Sequence, residues 1–220
     1  MEKEMTIADA IKDFKDELGE EVTLVAVSKT KPNELLMQAY DVGQRDFGEN
    51  KIQEMTDKHA SLPKDIKWHM VGHVQSNKVK YMAPYVHMVH AVDKYKTLKE
   101  INKRAKQNDR TINCLLQLKI AEEDSKFGLS ETDLKDLLAS PGLQDMEHVK
   151  IRGLMGMATF TEDERQIHAE FEKLERVYFE LKDNHDFDTL SMGMSGDYQL
   201  AIPHHTNMVR IGSSIFGKRD

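Results

Sequence analysis

VTLVAVSKTKP, residues 22–32, carries six apolar or β-branched residues straight into Ser28, Lys29, Thr30, Lys31 and Pro32. Such a run reads as a strand buried on both faces, the kind found in parallel sheets. Pro32 suits the first turn of a helix. Leu35, Leu36, Ala39 and Tyr40 then share one helical face, with Gly43 as a stop. A strand followed by a helix is one unit, and the unit recurs along the chain.

Further strands are expected in RDFGEN, IKWHMVG, VHMVHAVD, TINCLLQLKI, HVKIRGLMGMA, DTLSMGM and NMVRIGSSIFG, with helical patterns between them, the longest over 163–182. Eight strand candidates alternating with helices imply right-handed βαβ units and a parallel sheet. At roughly 27 residues per unit the chain fits an α/β, single-domain (β/α)8 TIM barrel over residues 1–220. Residues 6–18 form an extra N-terminal helix that either plugs or flanks the barrel. A doubly wound open sheet is the competing architecture.

Composition narrows the function. Hydrophobic residues make up 39% and charged residues 31% of the 220, as in a soluble globular protein. No segment approaches the roughly 20 apolar residues of a membrane helix, and the acidic start MEKEMTIADAIKDF is not a signal peptide. The single cysteine, Cys114, lies in the apolar run INCLLQL and reads as a core residue of a cytoplasmic protein. A net charge of −7 argues against a broad nucleic-acid or anionic-membrane surface. One small anion is still compatible, because backbone N–H groups can hold it.

In a barrel the chemistry sits at the strand ends. Lys29, just past the first strand, is either a solvated charge or a partly desolvated amine able to form a Schiff base. SMGMSGD and RIGSS follow the seventh and eighth strands, where barrels commonly bind phosphate; otherwise they are only tight turns. Arg210, inside the apolar MVRI, needs a partner: an acid such as Asp46 or Glu49, or a ligand. His69 and His73 are four apart, but on a strand and turn this spacing does not join two imidazoles, so no metal site is expected. His204 and His205 read as surface residues. The chain has no Walker loop and no GxGxxG.

VAVSKTKP, FGENKIQE, WHMVGHVQSNK, SKFGL, GLMGMAT, LSMGMSGDYQLAI and VRIGSSIFGKR, in this order, resemble the signature blocks of the pyridoxal phosphate homeostasis protein family, also called YggS-like. The resemblance spans nearly the whole chain. It implies a fold like the N-terminal barrel of alanine racemase, with pyridoxal 5′-phosphate (PLP) held as an internal aldimine. By position, Lys29 matches the Schiff-base lysine and Asn50 a residue near the cofactor ring. Met194, Ser195, Gly212 and Ser213 match the phosphate-binding turns, and Arg210 the arginine facing the pyridine nitrogen. Ser213 stands where many relatives have threonine, and SGD where others have SAD. Lys126 of SKFGL belongs to a family block but receives no cofactor role.

An arginine stays protonated and cannot take a proton from the pyridine nitrogen, so the ring is a weaker electron sink than beside an aspartate. Barrel racemases of this type draw one of their two proton-transfer groups from a second, β-rich domain, and none is expected to follow the eighth strand here. The expectation is a cytoplasmic, monomeric PLP-binding protein without a second catalytic base, taking part in PLP (vitamin B6) and amino-acid homeostasis. Its candidate partners are the cofactor and apo-enzymes that use it. The alternative is a racemase-like enzyme acting on small amino acids.

Overall fold

The computed structural model describes residues 5–122 and 127–217; Lys126 lies outside the described residues. The described residues form eight parallel strands that close into a barrel in chain order. They are β1 (Thr23–Val27), β2 (Asp46–Glu49), β3 (Lys67–Met70), β4 (Met88–Val92), β5 (Ile112–Gln117), β6 (Val149–Met155), β7 (Thr189–Met194) and β8 (Met208–Ile211). The expected (β/α)8 barrel forms rather than the open sheet, since β1 pairs with both β2 and β8.

Helices surround the strands: α1 (Ile7–Leu18), α2 (Asn33–Asp41), α3 (Ile52–Ser61), α4 (Val79–Met82), α5 (Tyr95–Gln107), α6 (Glu131–Ala139), α7 (Pro141–Gln144), α8 (Glu164–His185), α9 (Tyr198–Ala201) and α10 (Ser213–Phe216). The last of these takes up residues expected only as a turn. No helix among the described residues is long and apolar enough to cross a membrane.

The N-terminal helix flanks the barrel and does not plug it. Thr6 and Asp9 cap α1 reciprocally, each side chain bonding the other's backbone N–H. The helix packs against β1, α2 and α10. The Phe14 ring meets Tyr198 edge-on at 5.4 Å, and Glu17 accepts hydrogen bonds from the Tyr198 hydroxyl and the Gln199 amide, both at 2.9 Å. Because α10 is a single turn, α1 fills the place in the helical ring that a longer last helix would take.

Side chains on a strand alternate between two faces, and here the alternation separates two cores. Leu24 and Ala26 of β1 join the large cluster under the helices, with Trp68, Met70, Cys114, Leu116, Leu154 and Val209. Val25 instead meets Met88, Leu115, Met155 and Met208 inside the barrel. Cys114 is fully buried, and burial pushes its thiol well above the ordinary range, in line with a packing role.

By the same alternation His69, His90 and Arg210 point into the barrel, and all are buried. His69 Nδ1 lies 2.9 Å from His90 Nε2, and His69 Nε2 lies 2.9 Å from Asp46 Oδ1 at the start of β2. Burial raises the Asp46 carboxyl, but the hydrogen bond and charge of His69 outweigh it and hold the group low. Burial pushes His90 well below the ordinary histidine range. At His87, burial acts first and the neighbouring His69 adds to it, bringing the imidazole down to about 4.

Between pH 6.5 and about 4 the folded chain therefore binds fewer protons at His87 than the unfolded chain. Stability then rises with pH across that window and is lost on acidification. Chemical denaturation is expected to show a loss of stability on acidification between these limits, and His87→Gln is expected to flatten that part of the profile.

Candidate functional site

The C-terminal ends of the strands open into a cavity of about 600 Å³. Lys29, two residues beyond the end of β1, lines it half-buried. Asn50, directly after β2, forms another part of the wall, as do Met194 at the end of β7 and Ser195 after it. Arg210 of β8, Gly212 and Ser213 complete the set, so all seven residues singled out from the sequence face one space. Lys31, the second lysine of the opening stretch, is half-buried and lines the cavity too.

The turns after β7 and β8 meet. The Gly212 N–H donates to Ser195 Oγ at 3.1 Å, joining them into one corner. Gly193 sits at φ +96°, and a side chain there would press on Ala201 and on Tyr198 at 2.9 Å, so the turn requires glycine. Two hydroxyls, Ser195 and Ser213, and closely approaching main chain make a corner suited to a small anion. Asp197 was not foreseen: its carboxylate accepts from the Met194 N–H at 2.5 Å, and it lines the same cavity. Its place in GMSGD, three residues after Met194, is a turn-capping spacing readable in the sequence.

Arg210 pairs with neither of the acids considered for it. Its Nη1 donates to Ser191 Oγ at 2.5 Å and its Nη2 to the Gly156 carbonyl at 3.0 Å. Asp46 instead bonds His69, and Glu49 bonds Lys58. Burial brings the guanidinium down to about 10, with the charge of Asp197 working the other way. The group stays cationic at neutral pH and is held from two sides by neutral acceptors, with no carboxylate among the described residues bonded to it.

The backbone on either side of Lys29 is fixed by Glu49 of β2, considered from the sequence only as a partner for Arg210, and by Glu54 and Lys58 of α3, which the sequence reading did not single out. Lys58 donates to the Ser28 carbonyl at 2.8 Å, to Glu49 Oε1 at 2.7 Å and to Glu54 Oε1 at 2.8 Å. The Ser28 hydroxyl donates to the same Glu49 oxygen at 2.7 Å. On the other side, Thr30 takes a left-handed φ of +65° and its N–H donates to Glu54 at 2.6 Å. The reactive-amine candidate thus sits between two anchored residues. Burial pushes the Glu49 carboxyl up, against the pull of Lys58 and Ser28.

The third strand end has its own constraint. A side chain at Gly72 would run into the Asn50 main chain, so backbone packs on backbone there. His73 is exposed at the mouth with its ring stacked on Phe127 at 4.9 Å, far in character from the buried His69, and the two are not brought together. His205 is exposed, but His204 is half-buried and bonded to Glu175 and His168, so only one of the two matches the surface expectation.

Lys58→Met would leave Glu49 buried beside no cation. Urea denaturation is expected to show a loss of about 3–5 kcal/mol, much of it recovered in the double variant Glu49→Gln/Lys58→Met.

Residues 5–220 match the family model described as alanine racemase, N-terminal domain. A pyridoxal phosphate homeostasis protein of Pasteurella multocida is 38% identical over 207 residues, covering 90% of this chain and 87% of the relative. PipY of Synechococcus elongatus, solved with PLP bound, superposes with a TM-score of 0.88 at 32% identity, covering 96% of this chain and all of that one. Alanine racemase of Clostridium difficile shares the fold at a TM-score of 0.79 and 11% identity, with 97% of this chain lying on 57% of that one. The chain belongs to the pyridoxal phosphate homeostasis protein family, within the larger group that shares the alanine racemase N-terminal domain.

Proposed function

We propose that this protein binds pyridoxal 5′-phosphate covalently through Lys29 and takes part in PLP homeostasis as a holder of the cofactor. The observation that carries this reading is the convergence of an amine, Lys29, a buried cation, Arg210, and the Ser195–Gly212 corner on one cavity. That donor set fits the cofactor: an amine for its aldehyde, hydroxyls and main chain for its phosphate, a fixed cation for its ring edge. PipY, which shares the fold over nearly the whole chain and is solved with PLP bound, supports PLP as the ligand.

When bound, the cofactor supplies an electrophilic aldehyde and an electron-withdrawing ring. Lys29 would supply the amine that condenses with that aldehyde, with loss of water, in a linkage that borohydride can reduce. Ser195, Ser213 and the main chain around Met194 and Gly212 hold the phosphate. Asn50, on the cavity wall, would contact the ring. Arg210, bound to Ser191 and Gly156, presents a cation that cannot accept a proton. A site built this way stores the cofactor well and drives carbanion chemistry weakly. Holding the aldehyde limits the free reactive pool, and apo-enzymes that use the cofactor are its recipients in this reading.

The loaded protein is expected to absorb near the roughly 420 nm of a protonated Schiff base and to be labelled by borohydride, and Lys29→Ala to abolish both. A colourless, unlabelled wild type after incubation with PLP would refute the reading. Faster transfer of cofactor from the loaded protein to an apo-enzyme than from free PLP supports the holding role. Solvent exchange of amino-acid α-protons above the rate of free PLP would instead favour a racemase-like enzyme.

Removing both hydroxyls, Ser195→Ala with Ser213→Ala, is expected to weaken cofactor retention tenfold to a hundredfold, or about 1–3 kcal/mol, as read by equilibrium dialysis.

A further inference from the structure

Toward the end of the barrel opposite the cofactor cavity, Asp46, His69 and His87 bring one donor atom each to within 4.8 Å of one another. The grouping follows from register. Asp46 opens β2 and pairs with Lys67, which opens β3, so Asp46 lies beside the strand that carries His69. The His87 N–H donates to the Trp68 carbonyl at 2.8 Å, which seats His87 next to His69, with the rings 5.2 Å apart. His69 is buried, while Asp46 and His87 are half-buried, so the group is reachable from that end of the barrel.

We propose that Asp46, His69 and His87 form a binding site for a divalent transition metal of the zinc class. Two imidazoles and one carboxylate are borderline ligands that suit such ions and leave a position for water. Calcium and magnesium take oxygen ligands, so a set in which two of three donors are imidazole nitrogens does not suit them. Asp46 Oδ1 and His69 Nε2 are already 2.9 Å apart, close to the spacing of two ligands on one ion, so coordination replaces their hydrogen bond with little movement. The competing cation is Lys67, whose ammonium lies 3.9 Å from the other Asp46 oxygen and is itself exposed.

A second observation points the same way. Metal-bound histidines characteristically donate their other N–H to a fixed acceptor. His69 Nδ1 faces Nε2 of the fully buried His90 at 2.9 Å, which gives it such an acceptor. With a metal on His69 Nε2, the hydrogen of His69 sits on Nδ1 and donates to His90 Nε2. His90 then carries its own hydrogen on Nδ1. Metal binding at one end of the barrel thereby fixes a tautomer deep inside it, at a residue close enough to Arg210 to feel that charge.

The test is calorimetric titration of the chelator-treated protein with Zn2+, with Co2+ as a spectroscopic probe. The expected result is one equivalent bound and a Co2+ spectrum of a site with mixed nitrogen and oxygen ligands. His87→Ala and Asp46→Asn, checked for folding by circular dichroism, are each expected to cost at least the roughly 10–100-fold typical of losing an outer-shell partner. His205→Ala, which alters the separate surface group around Glu175, is expected to leave the affinity unchanged. No stoichiometric binding to wild type, or binding lost in His205→Ala and kept in His87→Ala, would overturn the proposal.

Discussion

A closed parallel sheet has no edge, and that constraint organises everything else in this protein. Each strand is flanked by two neighbours, so β1 meets β8 and the carboxyl ends of all eight strands share one mouth. Residues almost two hundred positions apart, Lys29 and Arg210 among them, become walls of the same cavity. Closure also splits the core. Apolar side chains on the outer face hold the helices, while the inner face must fill a narrow space and there accepts histidines and an arginine. Polar groups in such a place need partners, and the chain supplies them from adjacent strands.

The electrostatics of the mouth run against those of the whole. The chain is acidic overall, yet Lys29, Lys31 and Arg210 gather around the cavity, with Asp197 tied to the Met194 N–H. Net charge speaks to the outer surface and to encounter with large partners. It says little about a recess where a few cations and main-chain groups face one small anion. The anchoring of Ser28 and Thr30 by Glu49, Glu54 and Lys58 adds a mechanical element. The flexible lysine side chain grows from a main chain with little freedom to move.

Much of this was legible in the sequence because parallel strands announce themselves as short apolar, β-branched runs, and a barrel tells where function must sit once the strands are counted. Val22 to Val27 and the glycine-serine turns near the end were of that kind. What could not be read depends on register. Glu54 and Lys58 are spaced as a helical ion pair, but nothing local says that the lysine turns inward to the Ser28 carbonyl. Asp46, His69 and His87 are scattered over three segments and meet only because β2, β3 and β4 are neighbours. The pair that did stand out by spacing, His69 and His73, lies at two different levels of the barrel. Arg210 drew attention to acids, whereas its partners are a hydroxyl and a carbonyl, groups too common to flag.

The position of α1 has a consequence for how the molecule is made. Its docking partners include Tyr198 and α10, and the Glu17–Tyr198 hydrogen bond joins residues 181 apart. During synthesis α1 is made well before the residues that seat it. Until the far end is synthesised, the apolar face of α1 has only β1 and α2 to cover it, and the seam between first and last strands stays open. Barrel completion therefore waits for β8, late in synthesis of this domain, and the interval before it is when a chaperone would find the most to hold.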